Sequence, residues 1–127
     1  MAMMKGYWRH DGQRDLASRS DLRALIADVR ALGVPTMTFL EDAAAGATFV
    51  FGVGRPETVL TFVTRDGTSF HSLGDARRTG VLEFWCNDQR DDFLAEMAIP
   101  EGQGLVAAEA FVLTRRRPTN VEWEADG

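Results

Sequence analysis

Short apolar runs separated by turn residues dominate the middle of the chain. Residues 48–54 (TFVFGVG), 58–64 (TVLTFVT), 68–72 (TSFHS) and 81–86 (VLEFWC) are rich in β-branched and aromatic side chains, which suit a pleated, half-buried surface. Between them lie Gly54-Arg55-Pro56-Glu57, Asp66-Gly67 and the polar stretch 74–80. Asp66-Gly67 predicts a type I′ turn, because both central positions of that turn need φ > 0. The pattern predicts four consecutive antiparallel strands, a meander over 47–86, with at least one face that needs cover.

The flanks read differently. Residues 5–10 are mixed and predict an edge strand, broken at Asp11-Gly12. From 20 to 32, Leu22, Leu25, Ile26, Val29 and Leu32 line one face at helical spacing, and the helix is predicted to pack that face on the sheet. Ser18-Arg19-Ser20-Asp21 supplies capping hydroxyls and an early acid, and Gly33 and Pro35 supply the stop. Residues 36–40 predict a strand and 41–46 a loop. Residues 87–92 are polar and acidic and predict a surface loop; 93–99 predict a short strand. Pro100 can open a helix that runs to about Thr114, with Leu105, Ala108, Phe111 and Val112 inward. Arg115-Arg116-Arg117 then lies at the negative end of its dipole, and Pro118 stops it. A last strand over 119–124 places Val121 and Trp123 on one side and Glu122 and Glu124 on the other. The expected fold is α+β: a single domain over 1–127, mainly an antiparallel meander, with two principal helices packed against it.

Composition adds little to that fold and more to its partners. The chain has 127 residues, 45% hydrophobic and 26% charged, ordinary for one globular domain. No apolar run approaches a membrane span. The start, Met1 to Gly6, lacks the apolar core of a signal peptide, so the chain is expected to stay where it is made. One cysteine, Cys86, excludes an internal disulfide and suits a reducing compartment. The net charge is −5, with the acid concentrated after residue 40. Nucleic-acid affinity rests on Lys and Arg, so a nucleic-acid partner is not expected; a basic protein partner is.

Candidate chemistry is sparse. Cys86 and His71 are the one conceivable nucleophile and base, on strands predicted to be neighbours. Alternation, however, puts Cys86 beside Leu82 and Phe84 on an apolar face, where a free Cys is a small hydrophobe. Two histidines and one cysteine make no zinc set, and Asp88, Asp91 and Asp92 lack an EF-hand pattern. Gly52-Val53-Gly54 has Glu57 where a dinucleotide fingerprint needs glycine, and a strand follows it instead of a helix. No catalytic residue, metal or cofactor is expected. Of the three tryptophans, Trp85 shares a strand face with Glu83, opposite Phe84; a helix covers that face, or it is a binding surface.

The order of pieces resembles a known family. A Phe-Gly-Val-Gly strand is followed by Val-Leu-Thr-Phe, Asp66-Gly67 and Phe70-His71-Ser72-Leu73-Gly74-Asp75. After Gly80 come Phe84-Trp85, Ile99-Pro100, Ala107-Ala108-Glu109-Ala110-Phe111, Arg117-Pro118 and Val121-Glu122-Trp123-Glu124. Over roughly residues 7–124 this is similar to immunity protein family one of the bacterial polymorphic toxin systems. Arg116 stands where that pattern has a glycine. The resemblance implies a small cytoplasmic antidote without chemistry of its own. It would bind a cognate toxin domain, often a nucleic-acid deaminase, and occlude its active site or substrate groove.

A toxin that acts on nucleic acid needs a basic groove, and its inhibitor needs carboxylates. Between Glu83 and Glu101 there are six acids against one base, Arg90. The expected partner surface is therefore Glu83, Trp85, Asp88, Asp91 and Asp92, extended by Glu122 and Glu124 if the last strand lies nearby. A monomer or weak dimer is expected, with no membrane partner. Two other readings compete: a small-molecule-binding or enzymatic α+β domain using a cleft beside Trp85 and His71, and an adaptor that dimerises through a sheet edge.

Overall fold

The computed structural model describes residues 4–9 and 12–126. Met4–Arg9 (β1) and Gly12–Leu16 (β2) pair antiparallel. β1 is no edge strand, since a later strand flanks its other side. His10 and Asp11, the end of the predicted first strand and part of its break, lie outside the described residues. β2 has no sequence signature; Gly-Gln-Arg-Asp-Leu becomes a strand by pairing, not by propensity.

Arg19–Arg30 (α1) matches the predicted first helix to within two residues at each end. The Ser18 hydroxyl accepts from the Asp21 N–H at 3.2 Å, and the Asp21 carboxylate accepts from the Ala17 N–H at 2.7 Å. The first bond satisfies a donor that the helix start would leave unpaired, and the second ties the residue before the cap to the first turn. Leu22, Leu25 and Val29 are buried. Gly6 lets α1 close onto β1: a Cβ there would stand 2.1 Å from a Leu25 methyl.

Thr36–Asp42 (β3) and Ala47–Val53 (β4) form the longest hairpin, in register from Thr36↔Val53 to Asp42↔Ala47. Glu57–Thr58 (β5), Leu60–Val63 (β6) and Ser69–Ser72 (β7) follow. β4, β6 and β7 are antiparallel neighbours, as the meander requires. The β6–β7 turn is not type I′. Only Gly67 takes positive φ, at 86°, and Thr64 pairs with Thr68 across a three-residue loop. Asp66 is released from left-handed backbone, and its carboxylate instead accepts from the Thr64 hydroxyl and the Thr68 N–H. The Thr64 hydroxyl first, then the Thr68 groups, hold the Asp66 pKa down at about 2.

The predicted fourth meander strand goes elsewhere. Val81–Cys86 (β8) does not pair with β7; it meets β3 in parallel at Thr36↔Trp85 and runs antiparallel to Gln89–Leu94 (β9). So 87–92 is not a loop: only Asn87 and Asp88 turn the chain, with Asn87 at φ 57°, a conformation Asn tolerates better than most residues. Nor is 93–99 one strand. Phe93 and Leu94 end β9, Ala95–Met97 is a single 3₁₀ turn, and Ile99–Pro100 (β10) pairs with β5. Glu101–Thr114 (α2) ends at Arg115, whose φ is 61°. Trp123–Ala125 (β11) pairs with β7 and is shorter than the predicted 119–124. The order across the sheet is β11-β7-β6-β4-β3-β1-β2, with β8 and β9 branching from β3.

Side chains alternate between two cores. On one face Leu40, Phe49, Phe51 and Leu60 meet both helices through Leu25, Val29, Ala107 and Phe111. On the other, Met37, Phe39 and Val50 meet Phe84, Leu82 and Cys86 of β8 and Phe93 of β9. Gly52 makes that second contact possible, since a Cβ there would lie 2.3 Å from the Phe84 ring. The fold is the expected α+β arrangement, a mainly antiparallel sheet with two helices packed against it.

Candidate functional site: the outer face of the β8–β9 hairpin

Phe84 fixes which way the hairpin faces. With Phe84 turned into the second core, the alternate positions Val81, Glu83 and Trp85 point outward. Their cross-strand partners are Leu94, Asp92 and Arg90. Val81 is 53% exposed, Leu94 54% and Trp85 36%. Glu83 and Asp92 stand directly opposite each other, a like-charge pairing that costs stability on an antiparallel face. Arg90, 3.6 Å from Glu83, offsets it in part. Arg55 steadies the strand from below: its Nε donates to the Glu83 carbonyl at 2.8 Å and its guanidinium lies 5.7 Å from the Phe84 ring centre.

Beside Trp85 the surface dips into a pocket of about 270 Å³. Leu32, Val34 and Thr36 form the wall on the α1 and β3 side, Trp85, Asn87 and Asp88 form the hairpin side, and Arg9 of β1 completes it. The Trp85 N–H of the backbone donates to the Pro35 carbonyl at 2.7 Å, which pins the tryptophan against this wall. The arrangement is a rigid aromatic anchor with apolar neighbours and two facing carboxylates. The other two tryptophans are spent on packing: Trp8 lies over Gly12, and Trp123 donates to the Pro118 carbonyl while meeting Phe62 edge-on.

The structure brings together Glu83, Trp85, Asp88 and Asp92. It turns Asp91 away, onto the face of Cys86. Burial first, and then Asp91, push the Cys86 thiol pKa up. Glu122 and Glu124 lie at the opposite edge: β7, β6 and β4 separate β11 from β3, about 19 Å at the usual strand spacing. Cys86 and His71 are not on neighbouring strands either. The partners of β7 are β6 and β11. His71 Nδ1 meets an Asp126 carboxylate oxygen, Ser69 donates to the other at 2.6 Å, and Glu124 stands 3.7 Å from Nε2. The Ser69 hydroxyl first, and then His71, hold the Asp126 pKa down. The carboxylate sits between hydroxyl and imidazole, so His71 is not placed to take the serine proton. Trp85 and His71 lie on strands β8 and β7, which β6, β4 and β3 separate. Among the described residues no group of three or more His, Cys, Asp or Glu side chains is arranged for a metal ion, and no helix is long and apolar enough to cross a membrane.

A family model described as Immunity protein Imm1 matches residues 10–125. The chain belongs to the Imm1 immunity protein family. No curated protein matches it in sequence. The family points to toxin neutralisation and to a toxin protein as partner. In this Imm1 protein Val81, Leu94 and Arg90 join the face through a register that the sequence does not show, since 87–92 reads as a loop and 93–99 as a separate strand. A partial signal is present: Asn87-Asp88 can make a tight turn, and a strand of polar residues follows a strand of apolar ones. Leu32 reads in the sequence as part of the helix's packing stripe and Val34 lies between the stop residues Gly33 and Pro35, so the pattern gives no sign of the wall they form.

Proposed function

We propose that this Imm1 protein neutralises a cognate toxin domain by seating the outer face of β8–β9 over the toxin's active site or substrate groove. The observation that carries the reading is the coincidence on one strand face of an exposed tryptophan, two exposed aliphatic side chains and a facing pair of carboxylates. A tryptophan beside a pocket is the usual form of an interface hot spot. Carboxylates around it fit a basic groove, speed encounter and fix orientation. A basic partner side chain between Glu83 and Asp92 would relieve their mutual repulsion. Asp88 belongs to the same surface; Asp91, Glu122 and Glu124 do not.

The toxin is proposed to be a nucleic-acid deaminase. Such an enzyme must hold phosphates with Lys and Arg and must admit a base into a pocket, so a wedge of carboxylates and an aromatic ring suits both features. The protein acts here in the cytoplasm by binding, without catalysis of its own.

Co-expression with the toxin domain encoded in the neighbouring reading frame tests this. The unaltered protein should protect the cells, and Trp85→Ala should lose protection while melting at the same temperature. Full protection by a folded Trp85→Ala protein would move the anchor elsewhere. A neighbouring frame that encodes no toxin domain would remove the reading altogether.

A further inference from the structure

The carboxylates of the β8–β9 face favour basic surfaces in general, so they do not by themselves tell a cognate toxin from another basic protein. A second dip lies next to that face. Val34, 43% exposed, walls the Trp85 pocket on one side and, on the other, an open pocket of about 490 Å³. Arg30 at the end of α1, Arg55 and Pro56 in the β4–β5 turn, and Glu101 at the start of α2 stand around this second pocket. The two pockets therefore meet at Val34.

Charge in the second pocket is uneven. The Glu101 carboxylate is satisfied within the chain: one oxygen accepts from Arg30 Nη2 at 2.7 Å and the other from the Gly54 N–H at 3.1 Å. Arg30 and Glu101 thus offset each other, and Arg55 is left as the unbalanced charge of the lining. Arg55 is half-buried. Its Nε donates to the Glu83 carbonyl at 2.8 Å, and its guanidinium lies 5.7 Å from the Phe84 ring centre. These contacts hold the guanidinium in place and use one N–H of the several it carries. Among the described residues its Nη groups have no hydrogen-bond partner and no carboxylate is paired with it. A guanidinium held at one edge and open at the rest is set to grip a carboxylate with two parallel bonds. Little side-chain freedom is left for it to lose on doing so.

We propose that Arg55 is a specificity-determining residue that takes an Asp or Glu side chain of the cognate toxin in the pocket beside Val34. Glu83 and Asp92 meet the toxin's basic groove at the same time. If β8–β9 is the toxin-binding face, on which this assignment rests, the partner carries basic groups opposite the hairpin and an acid opposite the β4–β5 turn. A basic protein without that acid brings its own Lys or Arg toward Arg55 and leaves the guanidinium unmatched, which counts against it as a partner.

A charge swap tests this with the full chain and the toxin domain encoded in the neighbouring reading frame. Arg55→Glu should speed dissociation of the complex by about tenfold or more, as loss of a close interfacial ion pair does. Replacing the toxin's acids one at a time by Arg should reveal one position that restores slow dissociation to Arg55→Glu and harms binding to the unaltered protein. Such rescue separates an ion pair from a brace, because a change on the toxin does not repair a loosened hairpin. Should Arg55→Glu fail to fold, Arg55→Gln carries the test. It should dissociate faster as well, and neutralising the same toxin acid should abolish the difference between Arg55→Gln and the unaltered protein. Trp85→Ala runs beside these as the control on the face itself. If Trp85→Ala speeds dissociation and the Arg55 variants do not, the acid-binding role falls and the toxin-binding face stands. If neither does, both fall. An Arg55 defect that no toxin substitution rescues reduces Arg55 to a brace for β8 and overturns the proposal.

Discussion

Phe111 and Trp85 make an instructive pair. Both are large aromatics at apolar positions of a regular element. Phe111 is fully buried, stacked on Phe49 at 5.6 Å between ring centres and met edge-on by Phe62 at 5.7 Å. Trp85 borders an open pocket with Leu32, Val34 and Thr36 and keeps 36% of its surface exposed. The difference comes from what lies above each residue. α2 closes the sheet over Phe111, while on the outer face of β8–β9 that carries Trp85 the neighbouring Val81 and Leu94 are more than half exposed. Periodicity tells which residues share a face; it does not tell whether the chain itself covers that face. The binding role proposed for Trp85 rests on that difference in exposure.

Four substitutions or titrations break or sharpen that contrast. The largest effect is expected on the covered side. Phe111→Ala should lower unfolding free energy by about 3–5 kcal/mol in a denaturant titration, as a truncated core phenylalanine does. The fraction that remains folded should bind toxin as before. Trp85→Ala should do the reverse, costing about 2 kcal/mol or more of binding, seen as faster dissociation. Its cost in stability should stay near the ~0.5 kcal/mol typical of surface positions. A Trp85→Ala protein as unstable as Phe111→Ala would erase the distinction.

Gly52→Ala probes how the hairpin is aimed. The new methyl would press into the Phe84 ring, and overpacking of this kind costs about 1–3 kcal/mol. Because Phe84 sets the outward direction of Trp85, this substitution should also weaken toxin binding, although it touches no residue of the face. Unchanged binding would mean that the hairpin holds its orientation without that contact.

The smallest effect concerns an acid spent inside its own turn. Asp66 in the folded state titrates near 2 rather than at its ordinary 3.8. A depressed folded pKa means that stability is present above 3.8 and is lost as pH falls toward about 2. Asp66→Asn should therefore flatten the melting-temperature decline in that window and leave the toxin association rate alone. A slower association would place the β6–β7 turn in the interface as well.

Much of the fold was readable from residues. α1, with its Ser18 cap and Leu22–Leu25–Val29 stripe, and α2 up to Thr114 follow from spacing and end signals. The three strands 47–53, 60–63 and 69–72 follow from β-branched and aromatic runs. The fate of 81–86 did not follow, because its partner β9 is written in polar residues and exists through pairing alone. An edge strand rich in charge is protected against further pairing, and the same charge disguises it as a loop. The candidate site was legible in part for this reason. Glu83 and Trp85 could be put on one face, whereas the inward turn of Asp91 and the distance to Glu122 and Glu124 depend on a register and a strand order that no local pattern contains.

The most direct test compares two acidic pairs of equal charge at opposite edges of the sheet. Stopped-flow association with the toxin domain, over a range of salt, should be measured for Glu83→Gln with Asp92→Asn and for Glu122→Gln with Glu124→Gln. The hairpin pair should slow association and flatten its salt dependence, while the far-edge pair leaves both close to those of the unaltered protein. Equal slowing by the two pairs would reduce the effect to net charge, and a larger effect at Glu122 and Glu124 would place the toxin on the other side of the molecule.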